Sequence, residues 1–73
     1  MLTNDEIRNR VEYHAPSPEA ILRHNAVRRA IEYAMIEINT NVPDSREKSV
    51  AMTELETAMF WANAGIARNH EKL

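Results

Sequence analysis

The sequence predicts an all-α fold: a short N-terminal helix precedes an antiparallel two-helix hairpin, which completes its core by associating with copies of itself. Three observations support it. Apolar residues recur every three to four positions in two long stretches, helix-start signals precede both, and one glycine and three prolines leave little room for β-turns. The 73 residues suffice for one domain, 1–73, with helices expected at 1–12, 17–39 and 45–69.

A capping box starts the first helix. Thr3 stands at the N-cap position and Glu6 follows three residues later, so each side chain can bond the other's backbone N–H. The apolar content is thin, with Ile7 and Val11 four residues apart, and we expect this helix to form only when docked. Pro16 then disfavours helical backbone in the residue before it.

The second helix has a strong start, with Ser17 as N-cap and Pro18 at the first helical position. Its apolar stripe keeps the spacing of a core face, and His24 occupies a gap in it. Residues 39–44 are rich in helix-breaking types and predict a turn. The stripe consists of Ala20, Val27, Ile31, Ala34 and Ile38.

The third helix begins after Asp44 or Ser45, either of which could cap it. Two helices of similar length joined by a short turn pack antiparallel, which gives the hairpin. The core stripe comprises Met52, Leu55, Met59, Ala62 and Ile66, and a second stripe beside it comprises Ala51, Ala58 and Trp61, with Phe60 at its edge.

The second stripe predicts self-association. Phe60 and Trp61 are adjacent, so their side chains point about 100° apart on a helix and one partner helix cannot cover both. A chain this small without cysteine has no disulfide to offset a small core, and an exposed aromatic patch is an association site. The alternative is a monomeric three-helix bundle in which the first helix covers this face.

Charge and motifs exclude several function classes. The net charge of −2 argues against bulk electrostatic binding to DNA or to an anionic membrane. No signal peptide or membrane span is read, and we expect a soluble, intracellular protein. No catalytic constellation, glycine-rich phosphate loop or metal-ligand spacing among His14, His24 and His70 is visible, so we expect no enzyme, no cofactor and no bound metal.

A group of basic and aromatic residues near the start of the second helix is the best candidate for a binding site. Arginines early in a helix oppose its macrodipole, which suggests a functional reason for them. Tyr13 could stack on a base, while Arg28 and helix N–H groups could bind a phosphate. Asn25 shares the face of Arg28, and His14 adjoins Tyr13. The arginines are Arg8, Arg10, Arg23, Arg28 and Arg29.

Each of these residues also has a purely structural interpretation. Arg28 could pair with Glu32 four residues on, and Tyr13 could staple the helices together. His24 could be a satisfied interface residue, and Arg68 could cap the last helix. Arg23 and Arg29 could be solvated surface. Composition and spacing alone predict no more than a helical, oligomeric protein with a candidate site for a small anion.

A long run in the second half of the chain resembles a known family, the helical-hairpin domain of phage anti-defence sponges. That family includes the anti-CBASS cyclic-nucleotide sponge and the related Thoeris-countering sponge. The resemblance extends from about Tyr13 to Asn69. The matching residues are Val42 to Glu47, Ala51, Leu55, Glu56, Ala58, Met59, Trp61 to Ala64 and Ile66 to Arg68.

The resemblance implies a viral protein of the host cell cytoplasm that is not an enzyme. Family members bind cyclic dinucleotides, such as cyclic GMP-AMP, and cyclic trinucleotides without cleaving them, and so keep CBASS effectors inactive. They assemble as compact homohexamers. One pocket type lies between two protomers and takes cyclic dinucleotides; a second lies where three protomers meet and takes cyclic trinucleotides.

The resemblance also implies roles for individual residues. Tyr13 matches the aromatic that stacks on a base in the dinucleotide pocket, and Arg28 matches the basic residue that reaches a phosphate. Arg68 matches the arginine of the trinucleotide pocket. We add Asn25 and His14 to the first pocket as neighbours, and Asn69 to the second. The alternative function is a helical, oligomeric protein-interaction adaptor that uses the Phe60 and Trp61 face and binds no nucleotide.

Overall fold

The computed structural model describes residues 1–69, which form three helices: α1 (Asn4–Val11), α2 (Pro18–Asn41) and α3 (Arg46–Arg68). No strand occurs within this part of the chain, so the predicted all-helical class is confirmed. Among the described helices, none combines the length and the apolar character needed to cross a membrane. His70, one of the three histidines considered above for a metal site, lies outside the described residues.

Serine and threonine side chains start all three helices. Thr3, Ser17 and Ser45 each accept a hydrogen bond of 3.1 Å from the backbone N–H three residues later. At α1 the bond is reciprocated, because the Thr3 N–H donates to Oε2 of Glu6 at 2.6 Å and completes the predicted capping box. Of the two candidate caps for α3, Ser45 rather than Asp44 takes the position.

The predicted end of α2 at residue 39 is wrong, because the helix continues to Asn41. Asparagine usually breaks helices, but here the Asn41 side chain donates to the Glu37 carbonyl at 2.7 Å and satisfies a helix-end acceptor. The break falls at Val42, whose extended backbone (φ −111°, ψ 128°) is what the following Pro43 imposes. α1, in turn, ends at Val11, one residue before the end of the predicted 1–12 range.

Lys48 closes the turn between α2 and α3. Its Nζ donates to the Asn39 carbonyl at 2.9 Å and to Oδ1 of Asp44 at 3.0 Å. The lysine side chain is only 12% exposed, although Asp44 is fully exposed. A single ammonium group therefore joins the last turn of α2 to the first turn of α3.

The hairpin core follows the predicted stripes with one exception. α2 packs on α3, and the half-buried positions of both helices keep the three-to-four spacing. Ala62, assigned to the core stripe, is exposed, and Asn63 is half-buried in its place. Spacings of four and three connect Met59, Asn63 and Ile66, so the stripe continues through an amide. The half-buried apolar residues include Val27, Ile31, Ala34, Ile38, Met52, Leu55, Met59 and Ile66.

α1 lies at the open end of the hairpin and buries none of its own residues. Its apolar pair stays exposed, with Val11 at 75%. One contact to the hairpin is a hydrogen bond of 3.3 Å from Nη2 of Arg68 to the Arg10 carbonyl. A cation at a helix C-terminus is favourable, so Arg68 complements the α1 dipole rather than capping its own helix.

The single chain is more open than a finished domain of its size. Its radius of gyration is 15.4 Å, against about 11 Å expected for a compact chain of this length. The accessible surface is 5807 Å², roughly 1,200 Å² more than a folded monomer of this mass exposes. Ala20, at 1% exposed, is the one fully buried residue in the described part. Much apolar surface is thus left for a partner.

Candidate functional site

A cleft of about 340 Å³ opens where the α1–α2 loop, the first turns of α2 and the last third of α3 meet. This is the end of the hairpin away from the turn, because the two helices run antiparallel. The lining includes a cation and two imidazoles but no acidic side chain, which favours an anionic or polar ligand. The lining residues are His14, Pro16, Ile21, His24, Arg28 and Asn63.

A hydrogen bond across the hairpin forms the floor of the cleft. Nδ1 of His24 lies 2.8 Å from Oδ1 of Asn63, and both side chains are half-buried. These residues interrupt the facing apolar stripes of α2 and α3, so each polar group meets the other. His24 is therefore a satisfied interface residue, as one interpretation of the sequence held, and it also lines the cleft.

Arg28 lies one turn beyond His24 on α2 and brings positive charge to the cleft. Its Nη2 donates to Oδ1 of Asn25 at 2.7 Å. The alternative pairing with Glu32 does not form, because within the described part no carboxylate lies within salt-bridge distance of Arg28. A guanidinium has five N–H donors, so most of them remain available to a ligand.

The loop after α1 contributes His14 but not Tyr13. The Nε2–H of His14 donates to the Asn9 carbonyl at 2.8 Å, since a carbonyl oxygen can only accept. His14 thus satisfies one of the last α1 carbonyls and lines the cleft. Tyr13 is 86% exposed and is not among the cleft residues, so its ring does not fold back over the start of α2 in the single chain.

The two residues predicted for a trinucleotide pocket lie at the end of α3. Arg68 is half-buried and donates to the Arg10 carbonyl, while Nδ2 of Asn69 donates to the Gly65 carbonyl at 2.9 Å. Asn69 is therefore engaged as the cap of α3. Neither residue lines the cleft, so the structure keeps the two predicted groups of site residues apart.

Four cleft residues were not among the predicted site residues: Pro16, Ile21, His24 and Asn63. Asn63 carried a usable signal, because a polar residue in one apolar stripe is expected to face a polar residue in the other. Pro16 carried none, since its role follows from the path of the loop, whereas Ile21 lies two turns before Arg28 on the same face of α2. No group of side chains that could hold a metal ion occurs among residues 1–69.

The fold and the cleft define a class of small helical-hairpin proteins with a polar site at the open end of the hairpin. The chain belongs to the Acb2/Tad1 hairpin-domain family, the family of anti-CBASS and anti-Thoeris sponges, whose model matches residues 3–67. The resemblance seen in the sequence is therefore confirmed. Comparison with curated proteins and with solved structures gives no significant match.

Proposed function

We propose that the protein sequesters cyclic oligonucleotide second messengers of a bacterial defence system and blocks CBASS effectors without cleaving the nucleotide. The observation that carries this proposal is the family match over residues 3–67, since the family is one of sponges. An acid-free cleft with Arg28 at its rim supports it. Such a protein acts inside the infected cell, so we place it in the host cytoplasm.

We propose that the working form is a homohexamer. The single chain exposes roughly 1,200 Å² beyond the expectation for a monomer, which is comparable to the surface one partner buries in a standard interface. The excess includes Phe60 and Trp61 on one face and the apolar pair of α1 on another. Two separate apolar faces suit a closed assembly better than a simple dimer.

The cleft is proposed as one part of the cyclic dinucleotide pocket. Its volume of about 340 Å³ is at the small end of the range of about 300–1,000 Å³ for ligand sites, so it suits a single nucleotide unit. A second protomer would supply the rest. Arg28 would bind phosphate with Asn25 holding it, His14 would line the wall, and the exposed Tyr13 ring is free to stack on a base.

The end of α3 is proposed as part of the cyclic trinucleotide pocket. Arg68 is half-buried beside the C-terminus of α1, and Asn69 lies next to it. Only one guanidinium donor is used by the Arg10 carbonyl, so the others could meet phosphates where several protomers converge.

Recovery of the ligand tests the proposal directly. The protein is incubated with cyclic GMP-AMP or a cyclic trinucleotide, filtered to remove free ligand, and denatured by heat. A sponge retains the nucleotide on the filter and then releases it intact, as chromatography would show. Release of linear or cleaved nucleotide would replace the sponge with an enzyme, and failure to retain any cyclic nucleotide would remove the proposed function.

An interaction adaptor remains the second candidate because the Trp61 indole is 67% exposed beside an exposed Phe60. Adjacent exposed aromatics are typical of protein-binding surfaces. Sizing and a thermal shift separate the two functions. A monomer whose melting temperature ignores cyclic dinucleotides, cyclic trinucleotides and ADP-ribose-type nucleotides would favour the adaptor.

A further inference from the structure

We propose that His24 reads a purine base in the cleft, by accepting a hydrogen bond from the exocyclic amine of that base through Nε2. This inference rests on the proposed function and assigns a specificity-determining residue within it. Three features carry it: the bond between His24 and Asn63, the unused ring nitrogen of His24, and the position of Arg28 one turn away.

The partner of His24 fixes which ring nitrogen carries the proton. Oδ1 of Asn63, 2.8 Å from Nδ1, is an amide oxygen and can only accept, so Nδ1 holds the hydrogen. In a neutral imidazole the other nitrogen then has a lone pair and no hydrogen. Asn63 therefore makes Nε2 of His24 an acceptor.

That acceptor is available to a ligand. His24 lines the cleft, and within residues 1–69 its hydrogen bonding is limited to the Asn63 contact. The side chain is half-buried and borders the cleft. A ligand that fills the cleft without offering a donor would leave this nitrogen unsatisfied, at a cost to its affinity.

Arg28 and His24 offer opposite chemistry side by side. Residues four apart on a helix are neighbours on one face, about 5–6 Å between Cβ atoms. The arginine can only donate and so suits phosphate oxygens, whereas Nε2 of His24 accepts and so suits an N–H group. A nucleotide presents both kinds of group, with acceptors on its phosphate and donors on the amine of adenine or guanine.

The position of His24 in the core also fits this role. An apolar residue would fill the gap in the stripe of α2 at least as well, because buried polar pairs seldom add net stability over well-packed apolar ones. The same holds for Asn63, whose position in the stripe of α3 an apolar residue would also fill at least as well. The pair is thus better explained by its effect on His24 than by stability. Asn63 fixes the orientation of the imidazole ring and the nitrogen that carries its hydrogen.

A binding cycle that changes the protein and the ligand separately tests the inference. His24→Asn keeps an amide N–H where Nδ1 donates to Asn63 but has no atom at the position of Nε2. The parent ligands are cyclic di-AMP and cyclic di-GMP, and their matched analogues lack the exocyclic amine: the 6-deamino purine compound and cyclic di-inosine monophosphate. Affinities are measured by calorimetry, with size and melting temperature as controls for folding.

For the parent ligand that wild type binds more tightly, removing the amine should weaken binding about 3- to 10-fold, the usual size of one hydrogen bond. His24→Asn should lose the same factor on the parent and nothing further on the analogue. A His24→Gln variant, whose longer amide can place an oxygen near the position of Nε2, should recover part of the discrimination.

One result would overturn the inference while leaving the sponge in place: equal discrimination between parent and analogue by wild type and His24→Asn, whether the variant keeps both affinities or loses the same factor on each. A common loss on parent and analogue would place the contact on a hydroxyl or a phosphate. If wild type bound none of the four ligands, the inference would fail, and the dinucleotide part of the proposed function would fail with it only if cyclic GMP-AMP were not bound either. Should His24→Asn not fold, Asn63→Ala replaces it: without the amide oxygen the imidazole can carry its hydrogen on Nε2, so the discrimination between parent and analogue should fall.

Discussion

Arg28 is held beside the cleft by an amide and not by a carboxylate. Its hydrogen bond to Asn25 orients the guanidinium without neutralising it, so the charge is available to an anion. Arg23 provides the contrast, because Oε1 of Glu19 accepts a hydrogen bond of 2.9 Å from its Nε in an ion pair on the helix surface. The choice of partner thus separates an arginine suited to ligand binding from one committed to the surface.

Arg28→Ala should weaken cyclic dinucleotide binding about 10- to 100-fold, because hydrogen bonds to charged groups contribute about 1.5–3 kcal/mol. Arg28→Lys should recover part of that loss, since lysine keeps the charge but not the planar fork. Calorimetry with cyclic GMP-AMP measures both. Arg29→Ala is the matched control, as this exposed neighbour lies outside the cleft; an equal loss there would point to net charge alone.

Tyr13→Ala should weaken cyclic dinucleotide binding and spare cyclic trinucleotide binding, because loss of one stacked base costs about 1–3 kcal/mol. Tyr33, an exposed tyrosine on α2, serves as the control. Fluorescence competition with both ligand classes reads out the difference. Binding unchanged in Tyr13→Ala would remove this ring from the pocket.

Arg68→Ala should show the reverse pattern, with cyclic trinucleotide binding lost and cyclic dinucleotide binding kept. The variant also loses the bond to the Arg10 carbonyl, so helix content is followed by circular dichroism. Arg68→Lys retains a donor for that carbonyl and separates ligand binding from the docking of α1. Loss of both ligand classes with the assembly intact would contradict two distinct pockets.

At the scale of the helices, the ends are held by side chains that satisfy backbone groups. At the end of α1, the side chains of His14 and Arg68 donate to the carbonyls of Asn9 and Arg10, while the backbone N–H of Glu12 donates to that of Arg8. In the turn of the hairpin, Lys48 serves the same purpose for α2. Because its side chain is largely buried, its contacts are less screened than those of a surface ion pair.

Lys48→Met should lower the free energy of unfolding by about 1–2 kcal/mol, because the thioether fills the space but leaves the Asn39 carbonyl without its donor. Urea unfolding at one fixed protein concentration measures the change, since stability of an oligomer depends on concentration. Arg46→Met, at an exposed position in the same turn of α3, is the control and should be nearly neutral. Equal stability of the two variants would show that the hydrogen bonds of Lys48 do not stabilise the turn.

Sequence patterns predicted the helix starts well and the contacts between helices less well. Serine and threonine caps bond a backbone group three residues away, so the sequence alone can predict them. The capping box of Thr3 is found as predicted. The end of α2 was missed because Asn41 satisfies a carbonyl through its own side chain, against its average preference. Ala62 was misplaced because a stripe was extended through apolar residues only, when Asn63 continues it.

The candidate site could be predicted only in part, because some of its contacts join distant parts of the chain. Arg28 and His14 line the cleft together, as their proximity in sequence allowed. Asn63 comes from a distant part of the chain, and its pairing with His24 depends on the register of two packed helices. Tyr13 stays outside the cleft, since the path of the loop depends on what it packs against. Ligand binding by these residues is a prediction, which the Arg28 and Tyr13 variants test.

On the scale of the whole molecule, the main feature is apolar surface without a partner within the chain. α2 and α3 cover only one face of each other, and α1 leaves its own apolar residues exposed. The 45 Å length of the chain against its 16 Å thickness shows the same incompleteness. We expect a second copy or a different partner to cover this surface, because exposed apolar patches promote association.

Trp61→Ser should shift the protein to smaller species in light scattering, because the indole is the largest apolar group on the open face of α3. The hairpin itself should stay helical, since Trp61 is already exposed in the single chain. Ile36→Ser removes a half-exposed apolar residue from α2 and tests whether the effect belongs to the α3 face. An unchanged mass for the Trp61 variant would place the interface elsewhere.

The short turn at residues 42–45 has a consequence for the order of events after synthesis. Contacts that spread outward from a tight turn are local in sequence, and helical domains of low contact order fold in microseconds to milliseconds. Association of the hairpins is second order and slower at low concentration. If neighbouring copies complete the pockets, ligand capacity rises steeply with expression level and stays near zero while the hairpins are dilute.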